Sequence, residues 1–193
     1  MVLKRKGEPF LYGDHAYFTR GYENANFRYI YNGIHRTNML DVDASRRKLF
    51  KAITQPWRTG EKILVIPAPR NPRTFHEEPD WNEQVIERLV HLTDRKIEVK
   101  KDKTKGLGNS IHNCWAVVSH SSVAGVEAAV AGVRVVGPKT SPSCQVGVDI
   151  DQIESPIEPD REQWINTLCH SQFHLTEIAN GTAWQIIKET ERL

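Results

Sequence analysis

The stretch that decides the fold is Cys114 to Pro138, CWAVVSHSSVAGVEAAVAGVRVVGP. CWAVVS is an apolar run of strand length, and VRVVGP is a second one closed by Gly137 and Pro138. Between them SSVAGVEAAVAG consists almost wholly of small residues and starts on serines, the side chains that cap a helix N-terminus. Strand, slim helix and strand in this order form a β-α-β unit with buried parallel strands.

The same alternation extends outward from this unit. Upstream, EKILVIP (61–67) reads as a buried strand ended by proline, and RKIEVK (95–100) as another. Between them Asp80 and Glu83 have the spacing of a capping box, followed by Trp81, Val85, Leu89 and Leu92 at helical intervals. Downstream, DREQWINTLCH (160–170) predicts a helix, with two further helical segments on either side of Gly181. The fold class is therefore α/β, a Rossmann-like parallel sheet flanked by helices over residues 56–193. Residues 1–55 form a small aromatic-rich appendage packed on the main domain, and the segment before Asn38 is too short for a self-sufficient core. In that appendage Phe27 to Tyr31 reads as a strand, Asn32-Gly33 as a turn, and DASRRKLFKAI (43–53) as a helix with Leu49, Phe50 and Ile53 on one face.

Composition narrows the function. The 193 residues are 39% hydrophobic and 26% charged with net charge +2, the profile of a soluble globular protein rather than an obligate nucleic-acid binder. MVLKRKGEPF has no apolar stretch behind its basic start, so neither a signal peptide nor a membrane span is expected, and a cytoplasmic setting is. Cys114, Cys144 and Cys169 are too widely spaced for a CxxC pair, and no clustered carboxylate or HExxH motif suggests a metal. No cofactor is expected.

Ligands of open parallel sheets sit beyond the carboxyl ends of the strands, and this rule selects the segments to inspect. Ser119-His120-Ser121-Ser122 joins a strand to a helix start, where free N–H groups and the positive end of the dipole hold anions. His120, Ser121 and Ser122 are candidates for a donor phosphate, although a serine at this position also serves simply as a cap. Glu127, on the slim helix, is a candidate for a ribose diol, or else an exposed charge. Arg70 and Arg73 in PAPRNPR are candidates for a diphosphate, held on a loop that the prolines stiffen. Lys100, beside Lys101, Lys103 and Lys105, could complete a cationic rim. Tyr12, Tyr17, Phe18, Tyr22, Phe27, Tyr29 and Tyr31, with Arg20, Arg28 and Arg36, could stack on bases or sugars, or simply pack as a small sheet.

Residues 119–137, SHSSVAGVEAAVAGVRVVG, resemble the donor-binding segment in the C-terminal domain of GT-B glycosyltransferases. In those enzymes small residues precede Glu-Ala and then Ala-Gly-Val-Pro-Val. Capsule-polysaccharide and sialic-acid or Kdo transferases have a similar serine pair, and this chain departs at Arg134, where proline is usual. Asp14-His15-x-Tyr17-Phe18-x-Arg20, Phe27-Arg28-Tyr29, Pro56-Trp57, Thr93-Asp94-Arg95, Gln172-Phe173, Glu177-Ile178 and Gly181-Thr182-Ala183-Trp184 are similar to a family of uncharacterised glycosyltransferase-like bacteriophage proteins. The resemblance implies a single GT-B-type lobe that binds a nucleotide-sugar without metal, in a host cytoplasm. It implies too that residues 1–55 are the remnant of an acceptor-side lobe. Asp14 and His15 are then the candidates for a catalytic base. The alternative is a non-catalytic accessory protein that binds a nucleotide or a host protein, such as a host-defence inhibitor; a DNA-modification factor is a third reading. A one-lobed pocket also predicts a homo-oligomer or another partner covering the groove, with Tyr17, Phe18 and Tyr22 as the contact surface.

Overall fold

The structure is a computed structural model that describes residues 7–101 and 106–193. The chain folds as two compact units, one of residues up to Ile53 together with Arg161–Leu193, the other of Thr54–Asp160. Among the described residues no helix is long and apolar enough to cross a membrane.

The Thr54–Asp160 unit is the expected parallel α/β layer. Its strands are β3 (Lys62–Ile66), β4 (Ile97–Val99), β5 (Cys114–Ser119) and β6 (Arg134–Val136), in the order β4-β3-β5-β6 and all parallel. The helices are α1 (Arg70–Phe75), α2 (Trp81–Leu92) and α3 (Val123–Val130). Val85 and Leu89 of α2 pack with Ile63, Val65, Ala116, Val118 and Val136, which lie on one face of the sheet by their alternation. The β3-to-β4 connection runs toward one edge and the β5-to-β6 connection toward the other. Right-handed crossovers leaving in opposite directions place α2 and α3 on opposite faces. Alanine and glycine allow α3 to lie close to β5 and to the loop after β6: a Cβ on Gly125 would come 3.6 Å from Ser119 Oγ and 2.6 Å from Ser143 Oγ.

Two local readings change. Asp80 makes no side-chain cap bond, so the Asp80–Glu83 capping box does not form, although the helix starts at Trp81 as expected. PAPRNPR is not a stiff loop; Pro69 opens α1, and Pro72 fits in its first turn, where no intrahelical N–H is required.

The other unit is built on a three-stranded antiparallel sheet of β1 (Leu11–His15), β2 (Asn26–Tyr31) and β7 (Gln172–His174), in the order β1-β2-β7. The helices α4 (Glu162–Cys169), α5 (Leu175–Ala179) and α6 (Thr182–Glu191) belong to the same unit. Pairing of β2 with β7 thus ties the C-terminal segment to the N-terminal one, whereas the sequence grouped residues 161–193 with the parallel sheet. The aromatic segment supplies sheet and core. Tyr17 and Phe18, expected on a contact surface, are buried; their N–H groups donate to Gln172 Oε1 at 2.8 and 3.0 Å. Arg28 and Arg36 are buried as well. Arg28 donates to Asp14 and to the Ile34 carbonyl, and Arg36 donates to Ser171 Oγ and pairs with Glu191. Neither guanidinium is presented to a base or sugar. The helix expected over 43–53 is reduced to a 3-10 turn, Lys48–Phe50, and Leu49 and Ile53 are exposed. Asp43 instead closes a local turn by accepting from the Ser45 N–H at 2.9 Å.

Candidate functional site

Neighbouring strands β3 and β5 send their connections to opposite faces, and it is beyond the carboxyl ends of such a strand pair that open α/β sheets place their ligand crevice. The residues that meet there follow those two strands. After β3 come α1, His76 and Glu78; after β5 come Ser119, His120, Ser121 and Ser122. Their register is fixed by the Ile66–Ser119 pairing, which ends both strands together.

His120 is the centre of the cluster. Its ring is fully buried, and Nε2 bonds the Glu78 carboxylate. Trp81 meets the ring edge-on with centroids 5.0 Å apart, and the His76 ring lies 5.6 Å away. His76 Nε2 is 3.1 Å from Ser121 Oγ, and Ser121 Oγ donates to the Thr140 carbonyl at 3.2 Å. The loop after β6 closes the same edge; a Cβ on Gly137 would fall 2.2 Å from the Ser119 carbonyl oxygen. Buried polar atoms normally have partners, because stranding one costs about 1–3 kcal/mol. Here Ser119 Oγ, His120 Nδ1, Thr140 Oγ1 and, on α1, Arg73 Nε are buried and unpartnered. Two others among the described residues, on Arg134 and Asn166, lie outside the crevice.

A cavity of about 320 Å³ adjoins the cluster on the α2 side. Glu78 and Trp81, which both touch His120, line it with Gln84, Val118, Gly137 and Asp149.

The candidates from the sequence are distributed as follows. His120 and Ser121 are in the crevice. Ser122 is the N-cap of α3: its hydroxyl accepts from the Ala124 N–H at 3.2 Å, and its carbonyl accepts from Gly125. The capping reading therefore holds for its oxygen lone pair. Glu127 is half-buried; the buried residues Gly125, Val126, Ala128 and Ala129 centre on one side of α3, and at about 100° per residue Glu127 falls roughly opposite them. Arg73 is half-buried and Arg70 exposed at the start of α1. Lys100 follows β4, where its N–H donates to the Val65 carbonyl at 2.9 Å. Lys103 and Lys105 lie outside the described residues.

Asp14 and His15 belong to the other unit. Asp14 accepts from Arg28 at 2.7 Å, from the Tyr12 hydroxyl at 3.1 Å and from the His15 N–H at 2.7 Å, so its oxygens hold β1 and β2 together. His15 stacks on Phe27.

His76, Glu78 and Trp81 join this cluster, and the sequence alone does not single them out. The apolar run of β3 points to the residues up to Arg73, and only the folding of α1 turns the next ones back toward β5. Among the described residues no three His, Cys, Asp or Glu side chains are grouped to hold a metal ion. No family model, curated protein or solved structure matches the chain.

Proposed function

We propose that the parallel-sheet unit binds a nucleotide-linked sugar, with its phosphates at the crevice between β3 and β5, and that the protein transfers this sugar to an acceptor. The observation that carries the reading is that four buried polar atoms without a partner, Ser119 Oγ, His120 Nδ1, Thr140 Oγ1 and Arg73 Nε, belong to residues at or just beyond the carboxyl ends of β3, β5 and β6. Such atoms are compensated when a ligand rich in oxygen acceptors and donors arrives. Arg73 and the start of α3 supply positive potential for an anion. A ribose contact from Glu127 requires the ligand to reach the outer side of α3. The resemblance of residues 119–137 to a GT-B donor segment agrees with this placement.

A second reading is binding without transfer. It is favoured by Asp14, whose oxygens are already engaged by Arg28, Tyr12 and the His15 N–H.

A thermal-shift screen of UDP, GDP, ADP and CMP, each free and sugar-linked, tests the proposal. At a hundredfold excess over its dissociation constant a specific binder adds about 2.7 kcal/mol of stability. Ser121→Ala, which also removes the contacts with His76 and the Thr140 carbonyl, and His120→Gln, which also loses the pair with Glu78, are expected to weaken binding roughly tenfold or more. Slow hydrolysis of the sugar-linked form accompanies transfer chemistry; binding with no turnover supports the second reading. If no nucleotide shifts the melting temperature, both readings fall.

A further inference from the structure

We propose that the cavity beside the His120–Glu78 pair is the sugar subsite and that it selects a neutral, hydroxylated ring over an acidic one. The inference rests on the reading just given and adds the chemical class of the sugar.

The cavity measures about 320 Å³, at the small end of ligand pockets, which suits one ring rather than a whole nucleotide. Its walls are of two kinds. Trp81, Val118, Ile150 and Pro138 provide apolar surface, with the indole able to cover the C–H face of a ring. Glu78, Gln84 and Asp149 provide acceptors, and Gln84 also donates, a set that matches hydroxyl groups.

Charge then separates neutral from acidic sugars. Two carboxylates line the cavity against one guanidinium, that of Arg88, which is already paired with Asp151. A ligand carboxylate would meet Glu78 and Asp149 as like charges, whereas a hydroxyl donates to them. Phosphate would meet the same like charges in this cavity, and none of the described residues with unpartnered polar atoms lines it. Glu78 and Trp81 connect cavity and crevice, because each faces the cavity and touches His120. A diphosphate at the crevice would therefore direct its sugar into the cavity.

Saturation-transfer NMR on the full chain provides the test. The probes are methyl glucoside, galactose, mannose and N-acetylglucosamine, set against glucuronate and N-acetylneuraminate. At least one neutral sugar is expected to receive saturation, with the acidic sugars at least tenfold weaker. Trp81→Ala should reduce the signal at least fivefold. Because Trp81 also packs against the core, Gln84→Leu on the exposed side of α2 is the second variant, with the same expected loss and an unchanged melting temperature. The double variant Glu78→Gln with Asp149→Asn should narrow the gap between neutral and acidic sugars.

Acidic sugars binding as well as neutral ones would overturn the proposal, as would no sugar receiving saturation. So would wild-type signal in both Trp81→Ala and Gln84→Leu. Free UDP, GDP, ADP and CMP, run in parallel, report on the crevice alone. If sugars bind and no nucleotide does, the nucleotide reading fails and the subsite stands; if a nucleotide binds and the sugars show no selection, only the subsite fails.

Discussion

Arg46→Ala is expected to destabilise the unit that contains β1, β2 and β7 by about 3–5 kcal/mol, the cost of breaking a buried ion pair from one side. The Arg46 guanidinium donates to the Cys169 carbonyl at 3.1 Å and to the Gln172 carbonyl at 2.9 Å. It also forks onto Glu177 at 2.7 and 3.0 Å and lies against the rings of Phe50 and Phe173. Removing it strands two carbonyls, leaves the Glu177 carboxylate with only the His174 N–H as donor among the described residues, and opens space beside two aromatic rings. Arg46→Lys keeps the charge but cannot reproduce the fork, and should lie between wild type and alanine. Urea unfolding followed by the fluorescence of the buried Trp164 gives the comparison. A loss below about 1 kcal/mol for Arg46→Ala would place the residue among ordinary surface ion pairs.

The pH dependence of that difference has a definite sign. Burial acts to raise the Glu177 pKa, but the hydrogen bonds from Arg46 and from the His174 N–H prevail and leave it below the ordinary 4.5. A carboxylate depressed in the folded state contributes stability that is complete above its unfolded value and is lost as pH falls through the folded one. The gap between wild type and Arg46→Ala should therefore be widest above pH 4.5 and shrink below it.

The second large effect is expected at Gly132, directly after α3, where φ is +79° and an added Cβ would fall 2.0 Å from the Pro56 carbonyl oxygen. Positive φ costs an alanine about 1–2 kcal/mol. Overpacking against backbone adds about 1–3 kcal/mol more. Two backbone bonds fix this contact, Gln55 N–H to the Val130 carbonyl and Arg58 N–H to the Gly132 carbonyl, both at 2.8 Å. Gly132→Ala should accordingly lose about 3 kcal/mol. Gly181→Ala isolates the strain alone, because φ there is +84° with nothing within 4 Å of the added Cβ. Equal losses at the two glycines, read by chemical denaturation, would refute the close approach of Pro56.

The parallel sheet is legible in the sequence because its evidence is local. Each strand is a short apolar run, and the small residues of α3 record how closely that helix lies to the sheet. The antiparallel sheet is not legible in this way: β2 pairs with β7 across nearly the whole chain, and three-residue β7 carries no period of its own. Arg46 shows the same limit from the energetic side. In DASRRKLFKAI it reads as a polar-face residue, and only the return of α4 and β7 makes it the donor for two carbonyls and Glu177. At the site, His120 and Ser121 are within reach of sequence reasoning because they follow a strong strand immediately. His76 and Glu78 are not, since their arrival depends on a short helix in a proline-rich segment. Asp14 and His15 stand out in the sequence as chemically able groups, and the bonds from Arg28 and Tyr12 give Asp14 a use inside its own sheet.

Amide chemical-shift mapping of the ¹⁵N-labelled full chain with nucleoside diphosphates locates the proposed ligand crevice where β3 and β5 end. Saturating nucleotide is expected to move resonances of His76, Glu78, Ser119 to Ser122 and Gly137 to Ser143. The other unit has a cavity of about 530 Å³, lined by Asp41, Asp43, Arg46, His170, Glu189 and Arg192 among others, and serves as the internal control. Shifts confined to that cavity, or none at millimolar nucleotide, would rule out a ligand site at the ends of β3 and β5.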